Sequence, residues 1–353
     1  MIRGVSAAAG IDLRVEDAIA PRTIEWIEPG RVLLSRRNDL YESPALDAAP
    51  RHIGTFPAPW WSGAAARLRQ GQRALRFMYY NVVPLQDGSI FLSFAKSVGV
   101  WRDGAITPLR GIARPCRILR SGAALASDGA VYFGEYLDYA GSRDMRVYRY
   151  RAGDDEVEVA HAFAPGEVHH IHGIHADPYD GSLWCLSGDV KGECRVMRSA
   201  DGFRTMDVIG SGDESWRTVS VQFSDDAIFY ATDAEFMQNY IMRIDRRSGA
   251  RTTVGPVGGP VYYSCAAGGR LFFAVTAELC PSQPEPIAEL WCVDPVAGTH
   301  RRIVTLRKDV YSVRYFMPGT IDFARGPRDA ERIFFRATAL ARDNRMFSLR
   351  TDL

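Results

Sequence analysis

Short runs of hydrophobic residues alternate with polar turns along nearly the whole chain, and only one stretch has helical character. The runs are rich in Val, Ile, Phe, Tyr and Trp, and Gly, Asp or Pro separates them. This pattern is typical of many short β-strands at regular spacing. The exception is residues 62–78, where good helix-forming residues favour a helix without a strong apolar stripe. We therefore predict an almost entirely β protein.

A repeated unit determines the predicted architecture. Each unit has an apolar strand, a turn that contains Gly or Asp, and a second strand in which hydrophobic and aromatic residues lead into a small and then a polar residue. The second strands can be aligned at residues 31–37, 89–96, 130–136, 182–189, 227–233, 270–278 and 332–338. A third strand follows each of them, and a fourth short strand often closes the unit.

Units of this kind predict a β-propeller. A single four-stranded antiparallel sheet cannot bury both of its faces, but sheets stacked around an axis cover one another and leave only short edges. We predict one all-β domain over residues 1–353, with seven four-stranded blades preferred and six possible. The blades are expected to start near residues 23, 78, 116, 169, 216, 260 and 313. Because the last unit ends at the C-terminus, residues before about 22 are expected to supply a strand that closes the ring.

Composition and charge narrow the function without identifying a substrate. The 353 residues are 46% hydrophobic and 24% charged, with a formal net charge of +1, so a globular protein is expected and nothing indicates a nucleic-acid partner. The chain has no run of about 18 apolar residues, which predicts no membrane span. Its start lacks the apolar core of a signal peptide, and its six dispersed cysteines form no CxxC pair. We therefore expect free thiols and a cytoplasmic protein.

One turn resembles a sialidase-type Asp-box. In RVMRSADGFRTMDVIG, residues 195–210, three positions match the repeat Ser-x-Asp-x-Gly-x-Thr-Trp: Ser199, Asp201 and Thr205. The glycine comes one place early, and a methionine replaces the tryptophan. With other motifs over about residues 78–323, the chain resembles sialidase-like β-propellers with Asp-box (BNR) repeats that accompany bacterial surface-polysaccharide genes. The resemblance implies a propeller in a sugar-related context and assigns no catalytic residue.

Polar residues are expected to converge at one end of the propeller axis. The start of each blade's first strand and the end of its second strand lie on the same face of a propeller. Second strands end in the carboxylates Glu135, Asp189, Asp233 and Glu278. Predicted first strands begin with the cationic or aromatic residues Arg117, Arg217, Arg314, Trp216, Tyr262 and Tyr263. Rings that stack on sugars and arginines that pair with carboxylates favour an acidic carbohydrate ligand in an axial funnel.

Four of the chain's seven histidines lie within VHHIHGIHADP, residues 168–178. On an extended strand His170 and His172 point to one side, and the histidine before them points to the other. Three roles are open for these two side chains. The first is to form half of a divalent-metal site that Asp189 or Glu135 completes. The second is for one of them to act as a general acid or base. The third is purely structural, as hydrogen-bonded residues that line a narrow channel.

Two functions follow from this arrangement. The first is a carbohydrate-active enzyme, a glycoside hydrolase or polysaccharide lyase that acts on an acidic oligo- or polysaccharide in the funnel. Its predicted catalytic residues are Glu135, Asp189, Asp233, His170 and His172. Its predicted substrate-binding residues are Arg117, Arg217, Arg314, Trp216, Tyr262, Tyr263 and Glu278. The alternative is a non-catalytic propeller that binds a sugar or a protein partner in polysaccharide biosynthesis, with the same carboxylates acting only in ion pairs and turns.

Overall fold

The β-strands of the described residues form seven antiparallel sheets. The structure, a computed structural model, describes residues 4–137, 143–327 and 330–353. The sheets are the blades of a β-propeller, so the predicted fold class and the preferred number of blades are confirmed. Two short strands, β1 (Val5–Ala7) and β2 (Leu13–Val15), precede the first blade.

The first four blades follow one another along the chain. Blade 1 contains β3 (Thr23–Glu28), β4 (Arg31–Arg36), β5 (Asp39–Ser43) and β6 (Arg51–Thr55). Blade 2 contains β7 (Tyr79–Pro84), β8 (Ile90–Phe94), β9 (Ser97–Arg102) and β10 (Ala105–Pro108). Blade 3 contains β11 (Ala123–Leu125), β12 (Val131–Gly134), β13 (Met145–Tyr150) and β14 (Glu158–Phe163). Blade 4 contains β15 (His170–Ala176), β16 (Leu183–Gly188), β17 (Cys194–Ser199) and β18 (Asp207–Gly212).

The remaining blades complete the ring. Blade 5 contains β19 (Val221–Phe223), β20 (Ala227–Ala231), β21 (Asn239–Asp245) and β22 (Arg251–Val257). Blade 6 contains β23 (Val261–Ala267), β24 (Arg270–Val275), β25 (Ile287–Asp294) and β26 (Thr299–Arg307). Blade 7 contains β27 (Thr320–Phe323), β28 (Arg332–Thr338) and β29 (Arg345–Arg350). First strands of neighbouring blades contact each other, as β11 does β15 and β19 does β23, so these strands surround the axis.

The N-terminal segment closes the ring. Strand β2 pairs antiparallel with β29 and becomes the fourth strand of blade 7. The predicted closing strand is therefore confirmed. Strand β1 pairs with β26, which makes blade 6 five-stranded, a feature that the repeat did not predict.

Burial explains why the second strands read as continuous hydrophobic runs. All residues of β8, β16 and β20 are buried, because the neighbouring blades cover both faces of these central strands. The outermost strands are the reverse, and every residue of β18 is exposed or only partly buried. Within a blade, these central strands are therefore almost entirely apolar, and the outermost strand is more polar.

Helices occur in the connections between blades. The predicted helical stretch forms two short helices, α1 (Trp60–Ala65) and α2 (Arg69–Ala74), and α3 (Val313–Phe316) precedes blade 7. The side chain of Arg73 joins α2 to α3, because its Nε donates to the carbonyl oxygen of Phe316 at 2.8 Å. Within the residues that the structure describes, no helix is long and apolar enough to cross a lipid bilayer.

Buried ion pairs connect blades around the axis. Arg120 pairs with Glu25 at 2.9 Å, and both side chains are almost fully buried. In blade 7, Arg336 pairs with Asp322 at 2.9 Å and also donates to the hydroxyl of Thr23 in blade 1 at 3.1 Å. The last blade is thus joined to the first by a charged group as well as by strand β2.

Candidate functional site

A polar cavity of about 340 Å³ lies at the axis, on the face where first strands begin and second strands end. Most of the predicted site residues line it: His172, Asp189, Asp233, Glu278, Arg117, Arg217, Arg314, Tyr262 and Tyr263. These side chains come from blades 3 to 6 and from α3, so the fold brings together residues that are far apart in the sequence. The cavity is also lined by residues that were not assigned to the site, including Arg76, Tyr80 and Tyr136.

Two histidines and one aspartate meet beside this cavity: His172 and Asp189 line it, and the ring of His170 lies next to that of His172. His170 and His172 lie on β15, and Asp189 follows β16. The Nε2 atom of His170 lies 2.8 Å from Oδ2 of Asp189 and 3.1 Å from Nε2 of His172. The Nε2 atom of His172 lies 3.2 Å from Oδ1 of the same carboxylate. The three groups therefore present potential metal-ligand atoms at one point.

Backbone contacts determine which nitrogen of each ring carries the proton. The Nδ1 atom of His172 lies 2.8 Å from the carbonyl oxygen of Thr218, and Nδ1 of His170 lies 3.2 Å from that of Leu137. A carbonyl oxygen only accepts hydrogen bonds, so both Nδ1 atoms carry a proton and donate it. In the neutral rings both Nε2 lone pairs then face the carboxylate of Asp189. This convergence of acceptors requires a proton or a metal cation between them.

Electrostatics favours a cation at this point. Burial lowers the pKa of His170, and the neighbouring His172 acts in the same direction against the opposing effect of Asp189. Burial acts to raise the pKa of Asp189, but its contacts with the two imidazoles outweigh burial and hold this pKa well below the usual range. An ionised carboxylate beside a ring that tends to be neutral is a ligand set that Zn²⁺ and Mn²⁺ accept.

The backbone around Asp189 is adapted to this contact. Asp189 has a φ of 97°, in a region that non-glycine residues rarely adopt. Such a conformation costs about 1–3 kcal/mol and persists only where the surrounding structure enforces it. The preceding residue, Gly188, allows the imidazole to approach, because an added Cβ there would lie 2.7 Å from Cε1 of His172. These features direct the carboxylate toward the histidines.

Arg217 neutralises the acidic side chains of the cavity. Its guanidinium contacts Asp189 at 2.9 Å, Asp233 at 3.1 Å and Glu214 at 3.4 Å. Burial lowers the pKa of Arg217, but the negative charges of Asp233 and Asp189 outweigh it and raise this pKa above its ordinary value. Arg217 thus links blades 4 and 5, and its donors are largely engaged by protein carboxylates.

The cavity contains buried polar atoms without protein partners. Oδ1 of Asp233 and the hydroxyl of Tyr80 are buried, and neither has a hydrogen-bond partner among the described residues. Burial raises the pKa of Asp233 well above its usual range, against the opposing charge of Arg217. Burial likewise raises the pKa of Glu278, although the Tyr262 hydroxyl donates to this carboxylate at 2.6 Å. A polar ligand in the cavity could form hydrogen bonds with both this unsatisfied acceptor and this unsatisfied donor.

Aromatic rings form one wall of the cavity. Tyr136 packs against His170 with ring centroids 4.1 Å apart, and burial raises the pKa of its hydroxyl. Tyr262 and Tyr263 come from the start of β23. Arg314 on α3 lies over the ring of its neighbour Tyr315 at 5.5 Å and makes no ion pair with a carboxylate of the described residues. The helical connections therefore contribute a cation that is available to a ligand.

Two predicted site residues lie elsewhere. Glu135 is fully buried and is not among the described residues that line the cavity. It accepts hydrogen bonds from Arg114 at 2.6 Å and from Tyr148 at 2.9 Å. Glu135 therefore has the ion-pairing role of the alternative interpretation, with Arg114 as its partner. Trp216 lies in the connection between β18 and β19 and stacks on Tyr230 with ring centroids 6.0 Å apart. It is not among the described residues that line the cavity. Both residues stabilise blades.

The turn that resembles an Asp-box lies in blade 4, and its residues are not among those lining the axial cavity. Asp201 accepts hydrogen bonds from the backbone nitrogen of Thr205 at 3.0 Å and from its hydroxyl at 2.8 Å. These bonds lower the pKa of Asp201 to about 2. The turn is thus held by its own side chains, and the resemblance to sialidase-like propellers beyond the fold stays a prediction.

Solved structures contain the same fold. No protein-family profile and no curated protein sequence matches the chain. An oligogalacturonate lyase in complex with manganese matches with a TM-score of 0.63 and 11% identity, over 98% of this chain and 95% of that one. A structure from a study of prolyl endopeptidases and a puromycin hydrolase match with TM-scores of 0.56 and 0.55 and identities of 11% and 14%.

These matches differ in how much of the other protein they cover. The matches to the peptidase and the puromycin hydrolase include 90% and 93% of this chain but only 46% and 52% of theirs. The chain therefore spans about half the length of those two proteins. At such low identity the similarity shows the fold alone, so the activity has to be inferred from the site.

We predict that Arg217→Met will strongly destabilise the protein. Removing the guanidinium deprives the ionised Asp189 of its partner and leaves Asp233, which is only 3% exposed, without its hydrogen-bond donor. The free energy of unfolding should fall by about 3 kcal/mol or more, which chemical denaturation can measure. The exposed Arg204 supplies the control, because Arg204→Met should change this free energy by less than about 0.5 kcal/mol. Equal effects of the two substitutions would contradict the central role of Arg217.

Proposed function

We propose that the protein is a metal-dependent carbohydrate-active enzyme, and that a lyase acting on an acidic oligo- or polysaccharide is the activity its site supports best. One observation carries the proposal. Two imidazole lone pairs and one carboxylate converge at the wall of an axial cavity that also presents a free cationic side chain and aromatic rings. The structural similarity to an oligogalacturonate lyase in complex with manganese supports this combination of fold, metal and substrate class.

His170, His172 and Asp189 would hold the ion. Their nitrogen and oxygen ligand atoms suit Mn²⁺ or Zn²⁺, and three protein ligands leave positions for water or substrate. A divalent ion there would supply positive charge that polarises a substrate carboxylate. The hydrogen bonds from the two Nδ1 atoms to the backbone fix the ring orientations, which is the usual task of groups behind metal-bound histidines.

The other cavity residues are proposed to bind and orient an acidic sugar. Arg314 is placed to pair with a substrate carboxylate, and Arg117 lines the same cavity. Tyr262 and Tyr263 offer ring faces against which a pyranose can pack. Arg217 is proposed to act mainly as a positioning residue, because protein carboxylates already engage its donors.

Asp233 and Glu278 are the proposed acid–base groups. Burial raises the pKa of both carboxyls, so one of them can be protonated and donate to the leaving oxygen. The other, in its ionised form, would accept the proton that is removed from the carbon next to the substrate carboxylate. Asp233 also has an oxygen without a partner that would be available to substrate. Glu135 is left out of this assignment, because its oxygens are committed to Arg114 and Tyr148.

The cytoplasm is the proposed location. All six cysteines are free thiols, and four of them are buried. Free thiols suit a reducing compartment.

We predict that the protein binds Mn²⁺ in isothermal titration calorimetry with one ion per chain. His172→Ala should weaken binding roughly 100-fold or more, because it removes a ligand rather than a supporting group. The matched control is His161→Ala on the outer strand β14, which should leave the affinity unchanged. Wild-type affinity in the His172 variant would refute the metal site.

We predict cleavage of polygalacturonate, used as an acidic polysaccharide probe, in the presence of Mn²⁺. A lyase generates new reducing ends together with a carbon–carbon double bond conjugated to the carboxylate, which absorbs in the ultraviolet. A hydrolase generates reducing ends without that absorbance. Asp233→Asn should lower kcat about 100-fold or more, with a smaller effect on KM.

The negative outcomes are also informative. Binding of polygalacturonate without either product would favour the non-catalytic sugar-binding propeller. Neither binding nor cleavage of polygalacturonate, alginate or hyaluronan would contradict an acidic-carbohydrate substrate. Both measurements are made on the full chain.

A further inference from the structure

The strands that begin at the candidate site end at a second group of cavities on the opposite side of the propeller. Two cavities there, of about 200 and 560 Å³, share four lining residues: Ser121, His175, Gln222 and Arg325. His175 and Gln222 belong to β15 and β19, first strands of their blades. The adjoining cavities therefore form the other mouth of the axial channel.

Arg325 is the outstanding charged group of this mouth. Its backbone is held in place, because its nitrogen donates to the carbonyl oxygen of Glu25 at 3.1 Å and its carbonyl oxygen accepts from Ile27 at 2.8 Å. Its NH1 donates to the carbonyl oxygen of Ala123 at 3.0 Å, and its guanidinium lies 5.6 Å from the ring centre of Trp26. The cation is thus preorganised at the edge of the cavity.

No carboxylate among the described residues forms an ion pair with Arg325. Burial is the main cause that lowers the pKa of this guanidinium, to about 10, and the positive charge of Arg120 adds to it. A partly buried cation without an anionic partner is costly and is therefore uncommon in proteins. The lowered pKa agrees with the geometry, in which no described carboxylate neutralises the positive charge.

In the smaller cavity, the described residues around Arg325 carry no negative charge and offer hydrogen-bond donors. In the larger cavity the carboxylate of Asp177 is present, but it is paired with Arg246 at 2.7 Å. The described residues that line the smaller cavity include no Asp or Glu, and its other arginine, Arg332, is paired with Asp12 at 3.0 Å. Ser264 and Gln222 contribute a hydroxyl and an amide to the wall. In the larger cavity, the buried indole N–H of Trp26 has no acceptor among the residues that the structure describes. Among the described residues, no carboxylate lies within ion-pair distance of Arg325.

We propose that this mouth of the channel, centred on Arg325, is a binding site for a small oxyanion, a carboxylate or phosphate group. The guanidinium would pair with the anion, and the second amide hydrogen of Gln222, whose first is donated to Ser264 at 3.0 Å, would add a hydrogen bond. The site is separate from the metal-binding residues at the opposite end of the axis. Its existence does not depend on the proposed enzymatic activity.

The test measures the melting temperature of metal-free protein in inorganic phosphate or acetate against chloride, at constant ionic strength. Wild-type protein should melt about 2 °C or more higher at an anion concentration ten times its Kd. Arg325→Gln should lose this increase, and Arg332→Gln, from the same cavity, should keep it. The larger of the phosphate and acetate effects identifies the preferred head group. Without added anion, Arg325→Gln should melt no lower than the wild type, because it removes a partly buried charge that no described carboxylate pairs with.

Two results would overturn the proposal. One is an anion-dependent increase of equal size in Arg325→Gln and the wild type. The other is a large loss of stability in Arg325→Gln without added anion, which would indicate a purely structural role. Wild-type crystals soaked in bromide provide a test that needs no variant. An anomalous peak within hydrogen-bonding distance of Arg325 would support the site, and no peak there would refute it.

Discussion

Neutralisation of charge around the axis is the constraint on which the structure depends. The first strands of the blades present polar side chains toward one another, where neighbouring sheets cannot cover them and bulk water is largely excluded. Ion pairs meet this requirement, as Arg120 does with Glu25 and Arg336 with Asp322. Arg120, which precedes blade 3, reaches Glu25 of blade 1, and Arg336 of blade 7 also donates to Thr23 of blade 1, so these charged groups help to fix the blades relative to one another. A broken pair leaves a buried charge, which costs several kcal/mol.

Polar groups remain unsatisfied at both ends of the axis. At one mouth, His170, His172 and Asp189 bring together acceptors, and Asp233 adds an oxygen without a partner. At the other mouth, Arg325 presents a cation without a carboxylate partner among the described residues. A protein that retains unsatisfied polar groups in a packed interior commonly uses them to bind something. The two ends therefore point to a cation with an acidic ligand on one side and an anion on the other.

The repeat in the sequence predicted most of the fold, because strand length and apolar pattern are local properties. The closing strand could be inferred from the incomplete last unit. The fifth strand of blade 6 could not, because Val5–Ala7 is a short segment whose pairing depends on the exposed edge of β26. The free edge of β26 exists only in the folded blade, so the sequence pattern alone does not indicate which segment pairs with it.

The site was predictable where side-chain direction follows from position, and not elsewhere. Asp189 and Glu135 both follow a second strand, yet only the first reaches the axis. Adjacent residues of an extended chain point to opposite sides. Beside Glu135 it is Tyr136 that lines the cavity, whereas the positive φ of Asp189 turns its carboxylate toward the histidines.

Other contributors were hidden for similar reasons. Arg76 follows helix α2, and the position of this connection over the cavity depends on its contact with α3. The isolated charge of Arg325 depends on which carboxylates lie near it in space. Neither of these contacts can be read from the spacing of residues along the chain.

The central claim is that His170, His172 and Asp189 bind a divalent metal ion. Crystals grown with Mn²⁺ and measured on both sides of the manganese absorption edge test it most directly. The account predicts an anomalous peak bonded to both Nε2 atoms and to the Asp189 carboxylate. A map without this peak at saturating Mn²⁺, with the two imidazoles still in direct contact with the carboxylate, would contradict it.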